Sequence, residues 1–283
     1  MNAPFKRDQF VWSSDAIDFA GRIPDGCIDL LAIDPPFYGI VAEEWDNQWS
    51  NVAEFVAWFA AILRAFKPKM KPRGSLVFFG GIGKHGERAL FNSMDAIEGE
   101  NLYTFRNLIT WKKRRAYGKS HDYLFCREEI AWYSVSSART EVTFNIPLLN
   151  EKRGYAGFNP KYQAKSEFKR VSNVWDDIPE LMRPERTCQK PLPLMDRIIQ
   201  THSNPGDLVV DCFTGWGATG VSAVQNGRDF LGCEKGSRKE HDAAQRANMR
   251  VLRAATDSTA FRTQPIETPA QPDGAYTQEM TER

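Results

Sequence analysis

Clustered metal ligands are the first thing missing from this chain of 283 residues. Its four histidines, His85, His121, His202 and His241, are scattered, and no pair among its five cysteines has the spacing of a metal knuckle, so no metal site is expected. The odd set of Cys27, Cys126, Cys188, Cys212 and Cys233, mostly inside apolar runs, also excludes a disulfide framework. It fits small buried hydrophobes in a reducing compartment. Long hydrophobic runs are missing too, all falling well short of the roughly twenty residues of a membrane span, and no charged n-region with an apolar h-region opens the chain. The expected protein is soluble and cytoplasmic. Nor does charge of one sign prevail: Lys plus Arg number 37 and Asp plus Glu 36, for a net charge of +1. The total therefore excludes no partner, and only a local basic stripe would mark nucleic acid. No internal repeat is visible, and the length suffices for one domain with an insertion or two modest ones.

What is present centres on Asp34-Pro35-Pro36-Phe37, which follows the apolar run Cys27-Ile28-Asp29-Leu30-Leu31-Ala32-Ile33 without a gap. Such a run, rich in aliphatic residues and stopped by proline, reads as a buried strand of a parallel sheet. The tetrapeptide then sits at the carboxyl end of the strand, where open α/β sheets place their ligands. Two prolines hold the backbone extended and remove two amide donors, leaving carbonyl oxygens free to accept. Asp34 adds a carboxylate and Phe37 an aromatic face. Acceptors beside a ring match a flat heterocycle with an exocyclic NH2 group, which has two protons to donate and a face to stack. A plain turn after a strand uses the same residues, so the tetrapeptide alone leaves both readings open.

Patterning is α/β along most of the chain. Phe10-Val11-Trp12 is a short strand candidate, and Ser13, Ser14 or Asp15 can cap a helix before Pro24. The mixed, aromatic stretch 37–50 suggests a loop over the site. Residues 51–66 carry Phe55, Phe59, Ile62, Leu63 and Phe66 at helical spacing and stop at Lys67-Pro68. Pro72-Arg73-Gly74 has turn chemistry, residues 75–80 read as a buried strand, 84–97 as a helix and 103–111 as a strand. Lys112, Lys113, Arg114, Arg115 and Lys119 then put five cations in eight residues with no acid among them, a loop suited to phosphate. Residues 129–135 read as a further strand. Over 136–186 periodicity fades and basic residues, among them Lys165, Lys169 and Arg170, alternate with aromatics, a texture suited to nucleic acid. Pro191 can start a helix to His202, and a last helix is expected over 238–252. The tail after Ala255 has little to bury and is expected to be disordered.

The second half holds a strand ending at Asp211, the loop Cys212-Phe213-Thr214-Gly215-Trp216-Gly217-Ala218-Thr219-Gly220, a helix, and a strand ending at Glu234. Glycines let a ligand approach the backbone, and a carboxylate about twenty residues on can take two ribose hydroxyls. A dinucleotide site would face a pyrophosphate with the full glycine fingerprint. Here Asp211 beside the loop disfavours phosphate and favours a cationic or zwitterionic nucleoside, which points to S-adenosylmethionine.

Together these motifs resemble the DNA amino-methyltransferases, N6-adenine or N4-cytosine type, of the circularly permuted β group. The resemblance rests on Asp34-Pro35-Pro36-Phe37, Trp45-Asp46, Trp111-Lys112, Gln189-Lys190-Pro191, Asp211 to Thr219, and Gly227-Arg228 before Glu234. It implies a three-layer Rossmann-like α/β fold with a seven-stranded sheet, one strand antiparallel. The catalytic domain would comprise 7–135 and 187–254, with an inserted target recognition region at 136–186 and a disordered tail at 255–283. It implies catalysis by Asp34, Pro35, Pro36 and Phe37. The cofactor S-adenosylmethionine would be held by Asp15, Ala16, Asp34, Lys190, Asp211, Phe213, Gly215, Gly217, Thr219 and Glu234, with Gln189 near its carboxylate. The implied reaction is methylation of adenine N6 in double-stranded DNA after the base is flipped out, in a bacterial or phage-encoded enzyme. Trp216 stands where the family often has a small polar residue, and His241 where it often has tyrosine. N4-cytosine methylation, an RNA methyltransferase, an inactive DNA-binding homologue, a homodimer and a partnering restriction endonuclease all stay open.

Overall fold

The computed structural model describes residues 10–118, 120–153, 166–184, 188–236 and 242–261. Ten strands and six α-helices alternate among them: β1 Val11–Ser13, α1 Ala16–Ala20, β2 Ile28–Ile33, α2 Val52–Phe66, β3 Met70–Gly80, α3 Ala89–Gly99, β4 Thr104–Tyr117, β5 Phe125–Ser134, β6 Leu148–Lys152, β7 Phe168–Arg170, β8 Val174–Trp175, α4 Leu192–His202, β9 Leu208–Asp211, α5 Ala218–Gln225, β10 Asp229–Glu234 and α6 Ala243–Phe261. One sheet takes eight of the strands in the order β1-β10-β9-β2-β3-β5-β4-β8. Only β5 runs against the rest, pairing antiparallel with both β3 and β4.

Strand β2 is buried at every position. It is covered on both faces, as continuous apolar strands of parallel sheets are. Leu31 and Ile33 pack with Phe19, Phe59, Leu63 and Ile97 of α1, α2 and α3. Leu30 and Ala32 point the other way, into a layer with Ile198, Ile199, Val221, Ala247 and Val251 of α4, α5 and α6. The period-2 pleat of one strand thus sorts the chain into three layers. Strands β9 and β10 come late in the sequence yet lie between β1 and β2. Strand order therefore reverses between β2 and β9, and their carboxyl ends open onto a common crevice.

Several expectations are corrected. The sheet has eight strands instead of seven, because Val174 and Trp175 pair with Thr110 and Trp111 at its edge. Pro72-Arg73-Gly74 is no turn between elements but a bulge inside β3: Ile28 pairs with Met70 while Leu30 already pairs with Ser75. A Cβ at Gly74 would lie 2.9 Å from the Lys71 carbonyl and 3.1 Å from that of Ile28, which explains the glycine. The third helix begins at Ala89, five residues past Lys84, after a 3-10 turn over Lys84–Gly86. The basic run after Trp111 is strand, not loop, since β4 continues to Tyr117. Helix α6 runs past Ala255 to Phe261, where disorder was expected, and Ala255 itself packs against the apolar layer that Ala247, Val251 and Ala254 enter. The expected helix start at 238–241 lies outside the described residues, as does 262–283.

Candidate active site

Asp34 leaves β2 at its carboxyl end, one residue beyond Ile33. Its neighbour across the switch point is β9, in register Leu31 to Val210, so that Asp211 ends its own strand on the same side. Between them opens a cavity of about 290 Å³, lined by Asp34 and Pro36, by Asp211, Phe213, Thr214, Gly215 and Thr219, and by Trp45, Gln48 and Trp58. The two loops singled out from the sequence share one cleft.

The Asp34 carboxylate is divided between two environments. Oδ2 lies 2.8 Å from the Lys190 ammonium, which also faces Glu128 Oε2 at 3.1 Å. Oδ1 is buried and has no hydrogen-bond partner among the described residues, although a quarter of the side chain is exposed. Burial pushes the Asp34 carboxyl up to about 6, with Lys190 pulling it down and Glu128 pushing it further up. Burial works to lower the Lys190 ammonium, but the charges of Asp34 and Glu128 outweigh it and hold Lys190 above the usual lysine value. That ammonium also sits 5.3 Å from the Phe37 ring centre and 4.8 Å from that of Phe79. Such distances give cation–π attraction.

Asp46 shapes the loop that follows. Its Oδ1 accepts from the Phe37 amide at 2.7 Å, and its Oδ2 from the amides of Ile40 and Val41 at 2.7 and 2.9 Å. One buried carboxylate thereby folds 37–46 into a closed loop whose Trp45 lines the cavity. Pro35 and Phe37 do not line this cavity; they pack with Phe55, Phe59, Phe78 and Phe79 around a small hollow beside it.

Opposite, Asp211 Oδ1 accepts from the Phe213 amide at 2.9 Å, and burial pushes its carboxyl up to about 7 against the hydrogen bonds from Thr219 and Phe213. Glu234 Oε2 accepts from the Gly215 amide at 2.7 Å and also lines the cavity, as do Asp15 and Ala16 at the start of α1. Asp15 caps that helix by accepting from the Ile17 amide at 3.0 Å. Gly217 is turned away from the lining: it precedes α5 with φ at +84°, and a Cβ there would lie 3.3 Å from the Ala247 carbonyl of α6.

The sequence model of the N6/N4 methylase family, described as DNA methylase, matches residues 28–245, a span that contains both loops of the cleft. The chain belongs to this DNA methylase family. Among its relatives, the DNA adenine methyltransferase YhdJ of Escherichia coli (strain K12) is 28% identical over 237 residues, covering 78% of this methylase and 76% of that one. The cytosine-N4-specific PvuII DNA methyltransferase superposes with a TM-score of 0.64 at 16% identity, covering 92% of this chain and 97% of the other. The M1.HpyAVI–SAM complex superposes with a TM-score of 0.57 at 23% identity, covering 86% and 98%. At these identities the two structures show a shared fold.

The basic residues expected of this methylase divide by strand period. Lys112 and Arg114 are exposed on β4, whereas Lys113 and Arg115 alternate inward. Lys113 bonds Glu128 and Arg115 donates to the Met182 carbonyl at 2.6 Å, so neither side chain is a free phosphate ligand. Lys169 pairs with Glu151 across the antiparallel β6–β7 pair, while Arg170 is exposed. Lys119 and Lys165 lie outside the described residues. Sequence reasoning missed Glu128, whose approach to Lys190 arises from β5 pairing with β4 at Trp111. An acid at that spacing carries no local signal. It also missed Trp58, a helix residue whose ring reaches Phe213 at 5.7 Å between centres.

Proposed function

We propose that this methylase transfers a methyl group from S-adenosylmethionine to the exocyclic N6 amine of an adenine flipped out of double-stranded DNA. The observation that carries this reading is the buried, unpartnered Oδ1 of Asp34, a residue that lines the same cleft as Asp211 and Glu234. An unsatisfied buried acceptor costs about 1–3 kcal/mol, which a donor N–H relieves on binding. The residues present suit the cofactor: Asp211 supplies negative charge for a cationic or zwitterionic ligand, Glu234 stands ready for ribose hydroxyls, and Asp15, Ala16, Phe213 and Thr219 complete the walls. S-adenosylmethionine supplies an electrophilic methyl on a sulfonium that is already a good leaving group.

An exocyclic amine is a weak nucleophile because its lone pair is delocalised into the ring. Asp34 and the Pro35 carbonyl accept its two N–H bonds and favour a tetrahedral nitrogen whose lone pair points across the cleft, and the Asp34 carboxylate takes the proton that the nitrogen must lose once it carries the methyl. Lys190 holds Asp34 Oδ2 and leaves Oδ1 to the substrate. Trp45, on its Asp46-closed loop, lines the cleft that the extruded base enters, and Phe37 borders that cleft from the adjoining hollow. Aspartate at the head of the tetrapeptide, which the family resemblance associates with adenine, and the adenine-modifying relative support N6 over N4. The same acceptors suit cytosine N4, which is the second reading.

The test is to incubate the purified protein with labelled S-adenosylmethionine and unmethylated duplex DNA, digest the DNA to nucleosides, and map the modified site by sequencing. N6-methyladenine is expected; N4-methylcytosine would replace the adenine reading, and no transfer would end both. Asp34→Ala is expected to lower transfer by about 10²–10³-fold, the loss typical of a removed transition-state hydrogen-bonding group, with cofactor affinity within about twofold of the parent by calorimetry.

A further inference from the structure

Strands β4 and β5 outrun the sheet they belong to. Pairing of β3 with β5 ends at Gly80 and Glu129, and that of β4 with β8 at Trp111. Beyond these points β4 and β5 pair only with each other, Lys112 to Arg127 and Tyr117 to Phe125. A two-stranded ribbon therefore leaves the sheet. Because β4 is parallel to β2, it leaves on the carboxyl side, the side of Asp34.

The base of the ribbon is tied to the catalytic carboxylate. Lys113 bonds Glu128, Glu128 faces Lys190, and Lys190 holds Asp34. Glu180 accepts from the amides of Arg114 and Arg115 at 2.8 and 2.9 Å and so fixes the ribbon from the other side. The tip, in contrast, is bare. Tyr123 is 95% exposed, Leu124 62% and Tyr117 63%. Large apolar side chains left in water at one projecting point mark a contact surface. The partner's charge can be read from the flanks: Lys112 and Arg114 are exposed on the ribbon, and Asp122 is the only acid between Lys112 and Arg127. Cationic flanks with an apolar tip match a duplex, whose phosphates lie outside and whose base stack is apolar.

We propose that the β4–β5 ribbon is a wedge for duplex DNA, in which Lys112 and Arg114 contact the backbone while Tyr123 and Leu124 enter the base stack and fill the gap left by the extruded target. The inference rests on the DNA-methylase reading of the site. Extrusion costs a few kcal/mol in lost stacking and pairing, and an inserted apolar side chain replaces part of that contact. A base that has lost its pairing partner leaves the stack at lower cost and depends less on a wedge.

That difference supplies the test. A short duplex bearing the mapped methylation site is compared with the same duplex carrying an abasic position opposite the target base. For Tyr123→Ala/Leu124→Ala, kcat/KM is expected to fall at least about tenfold on the paired duplex and to stay within about twofold on the abasic one. Fluorescence of 2-aminopurine at the target position is expected to rise on binding to the parent and not to the variant. Tyr123→Phe is expected to retain the parent's behaviour. Equal losses on both duplexes, or no loss on either, would overturn the wedge while leaving the methylase reading intact. A variant that instead converts a dimer to a monomer in sedimentation, with unchanged duplex activity, would assign the tip to a second copy of the chain and overturn it equally. Absence of transfer by the parent on both duplexes would overturn the methylase reading and the wedge with it.

Discussion

Asp34 holds its two oxygens in different environments, one against Lys190 and one without a partner among the described residues, and the pH behaviour of the proposed transfer follows from that division. Its carboxyl, pushed up to about 6, must be ionised for Oδ1 to accept an amine proton. The protonated form prevails below that value, so the single-turnover rate is expected to fall about tenfold per pH unit below about 6 and to level off above it. Lys190 pulls the Asp34 carboxyl down, so Lys190→Gln is expected to move this acid limb to higher pH, a shift read from the same rate profile. Asp211 adds a second dependence. Burial raises its carboxyl to about 7, and a cationic ligand favours its ionised form. Binding of S-adenosylmethionine is therefore expected to strengthen as pH rises through about 7 and to release protons, measurable by titration calorimetry in buffers of different ionisation enthalpy. The placement of Asp34 and Asp211 at strand ends was legible because both end apolar runs. Their distinct couplings to Lys190, Glu128 and Thr219 were not, since those partners come from other elements.

At the scale of elements, the loop after β2 depends on Asp46. Three backbone amides donate to its carboxylate. Hydrogen bonds to a charged acceptor contribute about 1.5–3 kcal/mol each where solvent is excluded, less where the amides can be rehydrated. Asp46→Ala is accordingly expected to destabilise the protein by about 2–4 kcal/mol in urea unfolding and to raise KM for DNA by freeing Phe37 and Trp45. The Trp45-Asp46 pair entered the sequence reading as part of the family resemblance, but its clamp geometry did not, because a carboxylate gives no sign of which amides will reach it. The basic run teaches a related lesson. As a loop, its cations would all be available to phosphate; as strand, every second one turns inward, to Glu128 or to the Met182 carbonyl. Alternation could be counted in the sequence only once the run was known to be extended.

For the whole molecule, the decisive feature is that the late strands β9 and β10 enter the sheet between β1 and β2. Asp29 joins the halves at the amino end of this junction. From a buried position on β2 it accepts from Lys71 at 2.6 Å, from Arg73 at 3.1 Å and from the Leu208 amide of β9 at 3.0 Å, while Arg73 reaches on to Asp207 at 2.8 Å. Asp29→Ala leaves the Leu208 amide unsatisfied and two cations without their shared anion. Because Lys71 and Arg73 are partly exposed and can be rehydrated, the expected loss is about 2–3 kcal/mol, below that of a fully buried pair. Unfolding is expected to remain one cooperative transition by both tryptophan fluorescence and circular dichroism, since β2 and β9 share a core.

By itself the sequence determined the class of fold, the order of the two loops and the groups they carry, because strand ends, glycine turns and proline stops are set by neighbours a few residues away. Only the tertiary structure decided that Lys190, Glu128 and Lys113 converge on Asp34, that Asp211 faces the same cleft, and that β4 and β5 project beyond the sheet. Those outcomes depend on which strands pair and in what register. Pairing is a property of segments far apart in the chain, and no local pattern encodes it.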